Sequence, residues 1–446
     1  MDMIFAAVFI IFGIIYLIIG AYASKNIETS SDYFLAGRSL GFIPVTFTLI
    51  ATQLGGGMML GSAQKAYEIG YYGILYTLGM SIGFLILASG IAGRLQELNV
   101  STTAQLFETH YGSTALKKWA SLLSIITLGG LLLGQIVASK TLLAGLGFTN
   151  EGAFLLFWIF IIAYTVMGGL KAVVWTDIFQ VLFIIITFGG ICLYTIATSF
   201  SWHQALTDQT LFSTVAISHS SLLATFLMPI LFALIEQDLA QRFFSARSKE
   251  VALRSALASA IFMIVFALIP IYFGMQTKIL NLALPAGANP LLPSLAFFTN
   301  PLIFVFAICA LVAAFTSTAD SLLCAMSSNI AQDFNIKLGK ITNEVTIGKI
   351  ITLVAGLIII ASSYIVTSDI IDILIKSYEL SVSCLFVPLI YSYFYTNLNK
   401  NGAWGSTIAG LTLFIISLIW PFAFSDIITL IGSWIGYKIG NKFSAQ

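Results

Sequence analysis

The sequence predicts an all-α, polytopic membrane protein with about 13 transmembrane helices, and three observations predict it. Of the 446 residues, 59% are hydrophobic and only 9% are charged, with a mean hydropathy of +0.98; soluble domains carry roughly 25% charged residues. Apolar runs of the ~20 residues needed to cross a ~30 Å hydrocarbon core recur along the whole chain. The basic residues fall on alternate sides of those runs, as the positive-inside rule requires. The same composition excludes intrinsic disorder and an ordinary soluble surface. A net charge of +1 excludes nucleic-acid binding as the main role.

In order, the spans cover roughly 3–23, 42–66, 72–93, 119–145, 152–168, 174–199, 221–237, 251–275, 302–326, 346–367, 370–395, 404–421 and 425–440. The first follows Asp2 without a basic n-region or a small-residue cleavage site, and reads as a retained helix rather than a signal peptide. With the N-terminus outside, sixteen of the 20 basic residues fall on inward segments, among them Arg38, Lys117, Lys171, Arg247, Lys337, Lys340 and Lys400. The outward segments hold Lys278 alone, while Lys65, Lys140 and Lys376 lie within spans. This asymmetry predicts a plasma-membrane protein with the N-terminus outside and the C-terminus cytoplasmic. The short chain suits a bacterial inner membrane. Cys192, Cys309, Cys324 and Cys384 lie in apolar runs without C-x-x-C spacing and read as packing residues. His110, His203 and His219 form no metal-ligand pattern.

Two spans should break. Gly55-Gly56-Gly57 interrupts the second, beside Thr52 and Gln53; each glycine weakens a helix by about 1 kcal/mol relative to alanine. Unwinding there would bare carbonyls to an ion or solute, and close packing through Gly57-x-x-x-Gly61 is the alternative. The seventh span carries Pro229, which should kink it, and then Glu236-Gln237-Asp238 at its inner end. The two breaks are five spans apart, as in transporters built from two inverted repeats with the site between them. The expected organisation is an extra N-terminal helix and first cytoplasmic loop (1–40), repeat 1 (41–199), an outer connecting segment (200–218), repeat 2 (219–396) and two C-terminal helices (397–446). The connection 276–301, with Pro285, Pro290, Pro293 and Pro301, reads as an irregular outer loop, either a lid or a plain linker.

Polar groups in mid-membrane mark sites. The ninth span holds Thr316-Ser317-Thr318-Ala319-Asp320-Ser321. Ser317, Asp320 and Ser321 share one helix face, and their hard oxygens suit sodium. Hydroxyl bonding back to the helix explains Thr316 but not Asp320. Asp177, early in the sixth span, is either on an ion route or a helix N-terminal carboxylate. Lys376 and Glu379, three apart, could form an internal pair.

Several motifs resemble those of the sodium:solute symporters. Asp32-Tyr33-Phe34-Leu35-Ala36-Gly37-Arg38 is similar to that family's first cytoplasmic loop. Gly168 to Gln180, with Thr176-Asp177-x-x-Gln180, is similar to its best-known motif, and Gln241-Arg242, Ser317-Thr318 and Asn401-Gly402-Ala403 also fit. The resemblance implies a LeuT-like five-plus-five inverted-repeat core, and sodium-driven solute uptake by alternating access. It implies sodium held by carbonyls of Ala51, Leu54 and Ala314 and hydroxyls of Ser317 and Thr318. In some members a second sodium would lie among Ser317, Asp320, Ser321 and Asp177. Gln53, Gly55, Gly56, Gly57 and Glu236 fall where the solute would bind. Gln53 stands where some members have a tryptophan suited to caging a quaternary ammonium. An amino acid such as proline or a related zwitterion is the expected solute; choline, sugar, sialic acid and pantothenate are the alternatives.

Other classes fit less well. A channel filter is a short loop repeated by oligomerisation, unlike two broken helices in one long chain. Gly79-x-Ser81-x-Gly83 matches a hydrolase motif, but it lies in an apolar helix without a histidine partner, so no enzymatic activity is expected. A membrane sensor would need a signalling domain, and none is visible.

Overall fold

In a computed structural model, residues 2–25, 27–147, 150–198, 218–285, 287–334, 336, 343–366 and 368–443 are described. Residues 200–217 of the expected connecting segment, including His203, lie outside these, as do Lys337 and Lys340. Among the described residues the regular structure is helical, apart from one bridge between Leu40 and Ala246.

Every expected span falls on a helix. Among the described residues, nine helices are long and apolar enough to cross a membrane, and Ile11–Ala23 and Phe42–Gln53 are shorter apolar ones. The smaller number reflects these two shorter helices, the helix Ser425–Lys442, which is not among the nine, and two expected spans joined in one run. Glu151–Thr198 is one run of 48 residues, about 72 Å at 1.5 Å per residue and more than twice the hydrocarbon thickness. It turns at Gly169 (φ 53, ψ −152), which divides it into the two expected spans. A side chain at Gly169 would strike the Tyr33 carbonyl, so both the positive φ and the close approach require glycine.

The first break falls where the glycines predict it. Phe42–Gln53 ends, the chain bends through Leu54 and Gly55, and it resumes through a π-helical turn at Gly57–Gly61. The second break departs from the expectation. His219–Ala233 runs through Pro229 without stopping; the chain opens at Leu234–Glu236 and continues as Gln237–Ser245. A proline removes one helix hydrogen bond, and here its ring packs beside Gly79. Glu236 therefore sits at the break inside the bundle, with another helical stretch beyond it.

The Thr114–Gly145, Pro301–Asp333 and Ile370–Phe394 helices are the most deeply buried and form the centre. The 276–301 connection is more ordered than its prolines suggest. It contains the helix Leu291–Phe298, and Asn289 donates to the Leu60 carbonyl at 3.0 Å, tying it to the first broken helix. Lys400–Ile419 and Ser425–Lys442 form a hairpin whose backbones nearly touch. A side chain at Gly405 would strike the Gly436 carbonyl, and one at Gly440 the Asn401 carbonyl. Gly410 meets the Ser383 carbonyl of the Ile370–Phe394 helix in the same way, so small residues set these distances.

Candidate ion and solute site between the broken helices

Where the first broken helix ends, its last carbonyls lose their partners. The Gly56 N–H, which would serve the Thr52 carbonyl, donates instead to Gln135 Oε1 at 2.7 Å. Ser317 and Thr318, buried on the Pro301–Asp333 helix, fill the gap. Ser317 Oγ lies 3.1 Å from the Ala51 carbonyl and 3.0 Å from that of Ala314. Thr318 Oγ1 lies 3.3, 3.0 and 3.2 Å from the carbonyls of Ala51, Thr52 and Ala314. Each hydroxyl has one proton to donate, so these five contacts cannot all be hydrogen bonds at once. The cluster is rich in hard oxygen lone pairs, the donor set that suits sodium. Four of the five residues expected at the ion thus converge. Leu54 is buried beside them and donates its N–H to Ile50 at 3.0 Å.

The residues expected around a second ion are arranged differently. Arg242, fully buried, donates from Nη2 to Ser321 Oγ at 2.5 Å and from Nη1 to the Asp238 carbonyl at 2.9 Å. Thr52 Oγ1 lies 3.2 Å from Ser321 Oγ, and its one proton has a shorter acceptor in the Thr48 carbonyl at 2.7 Å. The Arg242 guanidinium therefore takes one lone pair of Ser321 and sets a positive charge beside the second set of residues. Asp177 Oδ2 accepts from Thr48 Oγ1 at 2.5 Å, and Asp320 Oδ2 accepts from Tyr164 Oη at 2.7 Å. The other oxygen of each carboxyl is unpartnered. Asp177 is therefore a buried group, eight residues beyond the Gly169 turn and not in the first turn of the helix that follows it.

A small central cavity adjoins the ion cluster. Gln53, Gly55, Gly57 and Glu236 line it as expected, and Thr318 belongs to both sites. Gly56 backs the wall through Gln135. Sequence reasoning missed Tyr76, Gln135, Asp238 and Tyr378, which complete the lining. The Tyr76 and Tyr378 hydroxyls lie 2.8 Å apart, and Phe232 stacks on Tyr378 with ring centroids 4.3 Å apart. Only Asp238 carried a signal, as a second acid beside Glu236. The volume open to water centres is about 20 Å³, room for one or two waters.

Other flagged residues fall elsewhere. Lys376 pairs with buried Glu379 at 2.6 Å, as expected. Ser81 donates to the Thr77 carbonyl of its own helix, while side chains at Gly79 and Gly83 would strike the backbone of Phe226 and Ile230. The G-x-S-x-G glycines thus serve helix packing.

Two interrupted helices crossing at an oxygen-lined centre, within a bundle of apolar helices, define a membrane-transporter architecture. Residues 33–410 match the sodium:solute symporter family, and the chain belongs to it. Its fold is similar to that of a Na+-coupled sialic acid symporter solved in a substrate-bound outward-open state (TM-score 0.76, 19% identity, 99% of this chain and 97% of that one). It is also similar to a nucleobase-cation-symport-1 family transporter closed on bromovinylhydantoin (TM-score 0.65, 13% identity, 94% and 96%). MhsT in complex with L-phenylalanine is a further neighbour (TM-score 0.57, 14% identity, 89% and 99%). A sodium/glucose cotransporter of Vibrio parahaemolyticus is 28% identical over 43% of this chain and 36% of its own length. A sodium-coupled monocarboxylate transporter 1 of Xenopus laevis is 29% identical over 36% and 26%. The matched stretches thus span about a third of these relatives.

Proposed function

We propose that the protein is a sodium-coupled secondary active symporter that imports a small organic solute, an amino acid or related zwitterion, by alternating access. One observation carries this reading: Thr318 faces the central cavity and also touches the carbonyls of Ala51, Thr52 and Ala314. An ion held there and a solute in the cavity would share a side chain, so each would bias the other's binding. We assign one sodium to Ala51, Leu54, Ala314, Ser317 and Thr318. The second set, Asp177, Asp320 and Ser321, would hold an ion against the positive charge of Arg242, which donates to Ser321. The solute would meet Gln53, the Gly55–Gly57 bend and Glu236. The family match and the sodium-coupled relatives support the coupling ion.

The test is uptake of a mixed solute library into proteoliposomes. A sodium gradient should drive concentrative, saturable uptake of a narrow set of solutes. Uptake indifferent to sodium, or flux that does not saturate, would overturn the reading.

A further inference from the structure

The walls of the central cavity carry two carboxyl groups and no basic side chain. Glu236 caps the second half of the broken helix, and Asp238 lies in its first turn, which places their carboxyls together at the break. Glu236 is 4% exposed and Asp238 0%, and Glu236 Oε2 and Asp238 Oδ2 have no hydrogen-bond partner. Buried carboxylates without partners are costly, and a pair of them more so.

The surroundings do not supply the missing charge. Asp177 and Asp320, also fully buried, lie in the same region. Among the described residues, Arg242 is the one basic side chain acting on any of these four acids. Its donors go to hydroxyls of Ser321 and Thr48, the Gln241 amide and the Asp238 main chain, and none reaches a carboxylate oxygen. Four buried carboxyl groups face one guanidinium, so those that ionise need a further cation as partner. The same cavity is lined by Tyr76 and Tyr378, whose rings lie parallel, 6° apart, with Phe232 stacked on Tyr378. Buried carboxyl groups with tyrosine hydroxyls and rings lining the same small space suit an ammonium group.

We propose that the transported solute is recognised by an ammonium group, protonated or quaternary, held by the Glu236 and Asp238 carboxyl groups in the cavity that Tyr76 and Tyr378 also line. This rests on the symporter reading above. Carboxylic acids without an amine should be rejected, because they would add negative charge beside Glu236 and Asp238 and bring none to offset it. Neutral polyols could hydrogen-bond to Gln53, Gln135 and the tyrosines, but would leave the acids unneutralised.

The test uses the full chain in lipid nanodiscs and reads the unfolding midpoint with and without sodium. The amine probes are methylammonium, L-prolinamide and L-proline. The probes without an amine are cyclopentanecarboxamide, cyclopentanecarboxylate and glucose. Amines should stabilise the protein in a sodium-dependent way, at least about tenfold more tightly than their isosteres. That preference should disappear in Glu236→Gln and Asp238→Asn, while stabilisation by sodium alone persists and shows that both variants fold. Equal binding of amine-free probes, a preference that survives both substitutions, or no stabilisation by any amine would overturn the proposal. The two readings can fail separately. Amine binding indifferent to sodium would sink the coupling and keep the charge assignment. Sodium-dependent binding of an amine-free probe would do the reverse.

Discussion

At the scale of single residues, Ser317 and Thr318 differ in what they touch, and this gives a graded expectation. Ser317→Ala should raise the sodium concentration for half-maximal uptake about tenfold, the loss of one oxygen ligand worth about 1.4 kcal/mol, with solute KM at saturating sodium little changed. Thr318→Ala should raise both, since Thr318 also lines the cavity. Identical sodium activation in both variants would remove the ion from this cluster. Arg242→Lys should lower kcat at least about tenfold even though the charge is kept, because an ammonium cannot reproduce the planar fork that reaches Ser321 and the Asp238 carbonyl together. The hydroxyl and carboxyl positions were legible in the sequence because side chains of that kind do not belong in an apolar helix. Their partners were not. Tyr164, which donates to Asp320, is 156 residues away, and no spacing rule reaches that far.

At the scale of elements, the glycine break was legible and the proline break was not. Three consecutive glycines act locally and show where a helix will open. A single proline fits inside a helix when its neighbours accommodate it, as Pro229 does beside Gly79. The break at Leu234–Glu236 has no composition signal of its own. Gly169 offers the sharpest element-level test. Gly169→Ala combines a φ of +53° with a collision against the Tyr33 carbonyl, so it should destabilise the protein by more than about 1 kcal/mol, read as a lower unfolding midpoint. An unchanged midpoint would mean that the long helix turns elsewhere. On the short helix Gln105–Thr109, bonding to Lys117 holds the Glu108 carboxyl below its ordinary value of 4.5. A depressed folded-state value means that this contact contributes stability above about pH 4.5 and loses it as the pH falls through the folded value. Protection factors at 105–117, corrected for the slower intrinsic exchange in acid, should therefore fall on acidification in the native protein, and Glu108→Gln should remove that fall.

At the scale of the whole molecule, hydropathy and basic-residue asymmetry delivered the helical segments, because insertion into lipid imposes both on the sequence. Orientation follows from the same asymmetry and can be checked directly. A cysteine at Lys278 should react with a membrane-impermeant maleimide added outside intact cells, and one at Lys400 only after permeabilisation. The reverse pattern would invert the proposed topology. Burial within the bundle was less legible, since lipid and protein interior favour the same residues. The cavity wall therefore escaped detection where it is built of tyrosine and glutamine, which occur in ordinary packing too. A space of about 20 Å³ is too small for a metabolite, so the helices bounding it must separate during each cycle.

The glycine contacts of the C-terminal hairpin bear on how that separation could be observed. Gly410 lies against the Ser383 carbonyl with no side chain between, and Ser383 shares a helix with Leu374 and Tyr378 of the cavity wall. A joint without side chains has little slack, so the hairpin should ride with that helix as a pointer rides with its shaft. A dye on the exposed end of the hairpin, at Phe443, would then report displacement of Tyr378 from outside the transport path, leaving the ion and the solute undisturbed.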